Sequence, residues 1–221
     1  MSMGVIGLGA GGHAKVVIEI IQQYNQYKLV GLLDPKPELK GKSLLGVPIL
    51  GDDEQLPLIK AQGVEHFFVG LGSTSNLAPR RRLYEFARSL GMKPVTAIHP
   101  SAIISPSVLL GEGATVMAGA IINAGVRVGE NVIVNSGAIV EHDCVIGHHV
   151  HIATGSRLAG AVHVSDNTHI GIGSVIRQLI KIGKSSVIGA GAVVVKDVPN
   201  GQIVIGNPAR LLSRYEHDEP D

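Results

Sequence analysis

The chain has 221 residues, 45% of them hydrophobic and 17% charged, with a formal charge of +1. That balance excludes a strong electrostatic footprint for nucleic acid or a membrane surface, and it excludes a disordered chain. Cys144 is the sole cysteine, so no internal disulfide is possible and a reducing compartment is expected.

No apolar run approaches the roughly 20 residues that span a bilayer. The start of the chain lacks a basic region followed by a long apolar stretch, so a cytoplasmic protein is expected, without membrane or nucleic-acid partners. Met3–Leu8 reads as a buried strand. Residues 12–24 carry Val16, Val17, Ile20 and Ile21 at helical spacing. Residues 29–33 form a second apolar strand that ends at Asp34. Residues 52–61 read as a helix, with Asp52 or Asp53 as N-cap. A third strand at 65–71, a basic amphipathic helix at 76–90 and a fourth strand at 93–98 follow. Alternating strands and helices imply a small parallel sheet with helices on its faces. Residues 1–95 are therefore expected to form a small Rossmann-like α/β domain.

From Ile98 to Val194 every sixth residue is aliphatic. If roughly a third of residues were aliphatic, chance would produce such a run about once in 10⁸ trials, so repeat architecture is preferred. Four residues after each aliphatic stands a mostly small or β-branched partner, Cys144 among them. Directly after the aliphatic stand Gly111, Gly129, Gly147, Gly171, Gly183 and Gly189, which suits either a positive φ or a close backbone approach. Period six fits neither the 3.6 of a helix nor the 2 of a plain strand. Short strands that turn sharply and stack about 4.8 Å apart explain both features. Few aromatics and many glycines agree with a core of stacked aliphatics.

This half resembles the hexapeptide-repeat acyltransferases. The resemblance implies a left-handed parallel β-helix over residues 96–212, with three hexads to a coil of a triangular prism, and a homotrimer. A polar tail would occupy 213–221.

The loop Gly7-Leu-Gly9-Ala-Gly-Gly12 matches G-x-G-x-x-G between a strand and a helix, and Asp34 ends the next strand. Backbone N–H groups at such a helix start favour phosphate. About 95 residues are too few for both halves of an NAD site, and His13 directly follows the last glycine. A Gly-rich loop ending Gly-Gly-His ahead of a hexapeptide helix resembles the nucleotide-sugar N-acetyltransferases that act on 4-amino-4,6-dideoxy sugars. It is also similar to the sialic acid O-acetyltransferases. The resemblance implies that Gly9, Gly11, Gly12, His13 and Asp34 hold the nucleotide sugar and that acetyl-CoA is the co-substrate.

Acetyl transfer to an amine needs a base, a donor for the developing oxyanion and a positioned thioester. Glu141-His142-Asp143-Cys144 is the most suggestive cluster. His142 stands two residues after an inward aliphatic and should reach the surface, whereas Cys144 falls on the inward small-residue pattern. The family carries a His followed by an acid here, with the His as general base. His142 and Asp143 match that pair, and Glu141 is a second candidate to orient the imidazole. Gly160 lies one 18-residue coil after His142, and the resemblance gives its N–H to the acetyl carbonyl. His151 matches a further family histidine near the acetyl group. It lies half a coil from His142, so a site using both would lie between subunits. Lys196, and Arg210 in Gly206-Asn-Pro-Ala-Arg210, are candidates for coenzyme A phosphates. No histidine pair shows the spacing of the zinc hydratases built on this helix, so no metal is expected. An O-acetyltransferase and a non-catalytic nucleotide-sugar scaffold are the competing readings.

Overall fold

The computed structural model describes residues 2–72 and 76–214. The expected tail at 213–221 lies largely outside them. The chain divides into two compact units, the second of which begins at Ile98 and also takes in the described residues Asn76 and Leu77.

The first unit holds β1 (Met3–Leu8), α1 (Gly12–Ile21), β2 (Tyr27–Leu33), β3 (Ser43–Leu44), β4 (Val47–Gly51), α2 (Leu56–Ala61), β5 (His66–Val69), α3 (Ala78–Ser89) and β6 (Lys93–Pro94). The sheet order is β3-β4-β2-β1-β5-β6, parallel except for the β3–β4 hairpin. Val17, Ile18 and Ile21 of α1 pack with Val5, Leu32 and Phe68, while Ile6, Leu8 and Phe67 pack with α2 and α3 residues Leu56, Ile59 and Tyr84. The two faces of the sheet are thus covered by different helices, as alternating β and α elements require.

Three details depart from the sequence reading. The β3–β4 hairpin turns through Leu45 and Gly46, both at positive φ (50° and 80°). Residues 52–61 begin as a 3-10 turn capped by Asp52, whose side chain accepts from the Glu54 N–H at 3.2 Å, before α2 starts. Residues 93–98 are not one strand. Lys93–Pro94 closes the first sheet, and Ala97–Ile98 opens the first wall of the second unit.

The second unit is the expected left-handed β-helix. Two-residue strands stack in three parallel walls with an 18-residue register. Val116, Val134, Ile152, Ile170 and Ile188 align on the first wall. Ile122, Val140, Leu158 and Ile176 align on the second, and Val128, Ile146 and Val164 on the third. These side chains form one apolar column through the prism.

The hexad glycines settle a point left open by the sequence. None of Gly111, Gly129, Gly147, Gly171, Gly183 and Gly189 has a positive φ. A Cβ on Gly129 would instead lie 2.7 Å from the carbonyl carbon of Gly147 in the next coil, so close approach is the reason for glycine. From Gly113 to Gly191 the left-handed residue falls two positions later in each turn, as at Gly137, Asp143, Gly155 and Ala161. After the last coil, Gln202–Ile205 joins the first wall, and Arg210–Arg214 pairs antiparallel with it. Among the described residues no helix is long and apolar enough to cross a membrane.

Candidate active site

Val140 ends a strand of the second wall, and the chain then turns through Glu141, His142 and Asp143. Asp143 holds the left-handed position of this turn (φ 60°), where Asp is tolerated better than most side chains. That conformation brings its Oδ2 to 2.9 Å from His142 Nδ1, on a pair that is largely exposed. With the proton on Nδ1 donated to Asp143, Nε2 is left as an acceptor. Glu141 does not share in this contact. Its Oε2 accepts from Asn123 Nδ2 at 2.9 Å, one coil away. Of the two acids proposed to orient His142, the structure brings only Asp143 to it.

Gly160 lies against the imidazole. A Cβ there would be 2.7 Å from both Cε1 and Nε2 of His142. Coil register is fixed by Ala161 N–H donating to His142 O at 2.8 Å. The Gly160 N–H has no acceptor among the described residues. Cys144 is fully buried, its Sγ is 3.2 Å from Ala159 O, and burial pushes its thiol up to about 11, which rules out a thiolate nucleophile near neutral pH.

The 18-residue column that contains His142 and Gly160 continues through Gln178 to Lys196. A groove of about 440 Å³ lies there, lined by Arg177, Gln178, Leu179, Val195 and Lys196 among others. Arg177 was missed by sequence reasoning, although counting two coils on from His142 reaches its neighbour. Arg210 is not part of this lining and donates to Ala209 O at 2.9 Å. His151 sits on the first wall, away from His142 within one chain. It is buried, with Nε2 3.2 Å from Asn135 Nδ2 and its ring edge-on to His169 at 5.0 Å. Burial lowers the pKa of His169 to about 4.

In the first unit the Gly-rich loop forms a second focus. A Cβ on Gly9 (φ 100°) would lie 2.4 Å from Leu71 Cδ1. Ala10 N–H donates to Asp34 Oδ2 at 2.9 Å, and Lys36 N–H donates to Asp34 Oδ1 at 3.1 Å. Asp34 therefore braces the loop. α1 starts at Gly12 with no side-chain cap and no acid in its first turn. A cleft of about 270 Å³ opens there, lined by Gly11, Gly12, His13, Asp34 and Gly72 among others. An adjoining cleft of about 340 Å³ includes Gly9, Pro35, Asp53, Leu71 and Phe86. Burial raises the pKa of Asp53, with the nearby charges of Asp34 and Asp52 adding to it. Asp53 and Gly70–Leu71–Gly72 carried no motif in the sequence.

Both units resemble known proteins. Residues 5–86 match the PglD N-terminal domain, and residues 125–160 match the bacterial transferase hexapeptide repeats. Perosamine N-acetyltransferase from Caulobacter crescentus, solved with CoA and GDP-perosamine, is 41% identical. That match covers 95% of this chain and 97% of that one, with a TM-score of 0.87. The acetyltransferase domain of PglB from Neisseria gonorrhoeae is 37% identical, covers 96% of this chain and 100% of that one, and has a TM-score of 0.88. The chain belongs to the PglD-type hexapeptide-repeat sugar N-acetyltransferases.

A UDP-N-acetylbacillosamine N-acetyltransferase from Bacillus subtilis is 39% identical over 116 residues, which spans half of this chain and half of that protein. In this PglD-type transferase the N-terminal match covers the Gly-rich cleft, and the hexapeptide match runs from the coil below His142 to Gly160. Among the described residues no group of three or more His, Cys, Asp or Glu side chains is arranged to hold a metal ion.

Proposed function

We propose that this protein transfers the acetyl group of acetyl-CoA to the amine of a nucleotide-linked 4-amino-4,6-dideoxy sugar. The observation that carries the reading is the exposed His142–Asp143 pair with Gly160 beneath the imidazole. The amine nitrogen attacks the thioester carbonyl directly. Nε2 of His142 takes the proton that the nitrogen loses, and Asp143 stabilises the imidazolium. The Gly160 N–H faces the developing oxyanion, which then collapses to the amide and expels the thiolate of coenzyme A. No acyl-enzyme forms, since Cys144 is buried and protonated.

Coenzyme A lies along the groove above Gly160, where Arg177 and Lys196 are placed to meet its phosphates, with Arg210 a further candidate. The nucleotide of the sugar lies in the Gly-rich cleft at Gly9, Gly11, Gly12 and His13, its phosphates at the uncapped start of α1 and Asp34 bracing the loop. The working form is a homotrimer in which a second chain supplies His151. Acetyl-CoA as donor is in keeping with a cytoplasmic enzyme.

A thiol-release assay with acetyl-CoA tests the reading, using GDP- and UDP-linked 4-amino-4,6-dideoxy sugars against sialic acid as a hydroxyl acceptor. Release only with an amino sugar supports it. Release with sialic acid alone points to O-acetylation, and nucleotide binding without release points to a scaffold. Mixed trimers of His142→Ala and His151→Ala chains test the shared site. If both single variants are inactive and mixing restores nothing, the site is not shared.

A further inference from the structure

Arg80 is the largest fully buried side chain among the described residues, at 2% exposure. It lies on α3, in phase with the buried Tyr84 and Ala87. Among the described residues no carboxylate pairs with it, and its Nε has no acceptor. Burial lowers its pKa to about 9. Burying a cation without an opposite charge is costly, so an apolar residue would serve mere packing better.

What the guanidinium does is specific. Its Nη1 donates to Val69 O and to Leu71 O, both at 2.8 Å. These carbonyls flank Gly70, whose own N–H donates to Leu8 O at 2.6 Å. Gly70 is wedged against the Gly-rich loop, since a Cβ on it would lie 2.5 Å from Gly9 O and 2.8 Å from Ala14 Cβ. The end of β5 is therefore fixed from both sides. The peptide between Leu71 and Gly72 is trans, so its N–H points opposite to its carbonyl. With the carbonyl turned to Arg80, the Gly72 N–H turns away from it. Gly72 lines the cleft beside His13, and its N–H has no acceptor among the described residues.

We propose that Arg80 is a positioning residue for a nucleoside diphosphate: it turns the Gly72 N–H into the cleft opposite the start of α1 and leaves its own charge for the ligand to balance. The inference rests on the reading of the first unit as the nucleotide site. The diphosphate is then gripped from two sides, by the N–H groups at the head of α1 and by Gly72. A nucleoside without phosphates uses neither.

The test is the affinity ratio of diphosphate to nucleoside. GDP, UDP and dTDP, with guanosine, uridine and thymidine as controls, are titrated calorimetrically into the full chain and into Arg80→Met, Arg80→Gln and Arg80→Lys. Loss of one aimed, charge-assisted contact should weaken the diphosphate about tenfold or more in Arg80→Met while the nucleoside changes little. The KM for the nucleotide sugar should rise in step, with kcat and the KM for acetyl-CoA unchanged. Arg80→Lys, which keeps the charge, should recover part of the loss. A folded Arg80→Met with the wild-type ratio overturns the inference. If Arg80→Met does not fold, Arg80→Gln and Arg80→Lys decide by the same ratio. If the wild-type chain binds none of the three diphosphates, the nucleotide reading of the first unit falls, and this inference falls with it.

Discussion

Replacing Gly160 by Ala should silence the enzyme without unfolding it. The added Cβ would sit 2.7 Å from Cε1 and Nε2 of His142, where ordinary contact begins at 3.4 Å. The imidazole must therefore retreat by about 0.7 Å. Gly160 has no positive φ, so the backbone accepts Ala without strain. His142 is exposed and can swing outward, so stability should change by under about 1 kcal/mol. Catalysis does not share this freedom. A shift approaching 1 Å costs on the order of 10²-fold in a positioned reaction, and the retreat also pulls Nε2 away from the Gly160 N–H. Thermal melting and the thiol-release rate, measured on the same preparation, check both halves. A Gly160→Ala variant with turnover within about threefold of wild type would refute the placement of the acetyl carbonyl between His142 and Gly160.

Three further outcomes are expected. Asp143→Asn should keep the left-handed turn and the melting temperature but lower kcat by about 10²-fold or more, because the amide cannot stabilise an imidazolium; an unchanged kcat would remove Asp143 from the chemistry. Cys144→Ala should retain near-full turnover and lose only about 1 kcal/mol of stability, and an inactive but folded variant would contradict its assignment to the core. His169 has a pKa of about 4 in the folded chain against an ordinary 6.5, so its contribution is fully present above pH 6.5 and is lost as pH falls through 4. About 2 kcal/mol of this should be gone at pH 5. His169→Phe should flatten that part of the stability curve in urea titrations at pH 7 and pH 5, and a variant with the wild-type slope would place the acid sensitivity elsewhere.

The β-helix was legible because every sixth position from Ile98 to Val194 is an inward aliphatic and each coil repeats the demand, so Ile122, Val140, Leu158 and Ile176 announce their own stacking. The phase of the repeat also separated His142, which faces out, from Cys144, which faces in. The β3–β4 hairpin was not legible, since its positive-φ turn is made by Leu45-Gly46 and not by Asn-Gly or Asp-Gly. The run at 93–98 looked like one strand because nothing in β propensity marks where a chain passes from one sheet to the next. At the site, residue types gave two acids beside His142, but only the left-handed conformation at Asp143 decided between them. Arg80 was hidden among three consecutive arginines of a basic helix, and only its phase with Tyr84 and Ala87 reveals the buried one. Arg177 and Gln178 required extending the 18-residue count past Gly160 along the same corner.

The most direct test of His142 as general base is the initial rate of coenzyme A release by wild-type and His142→Ala protein with the same nucleotide-linked 4-amino sugar. A general base contributes about 10²–10⁴-fold. Robust release by the wild type is expected, with a fall of that size in a variant that melts like the wild type. Near-normal release by a folded His142→Ala chain would contradict the assignment.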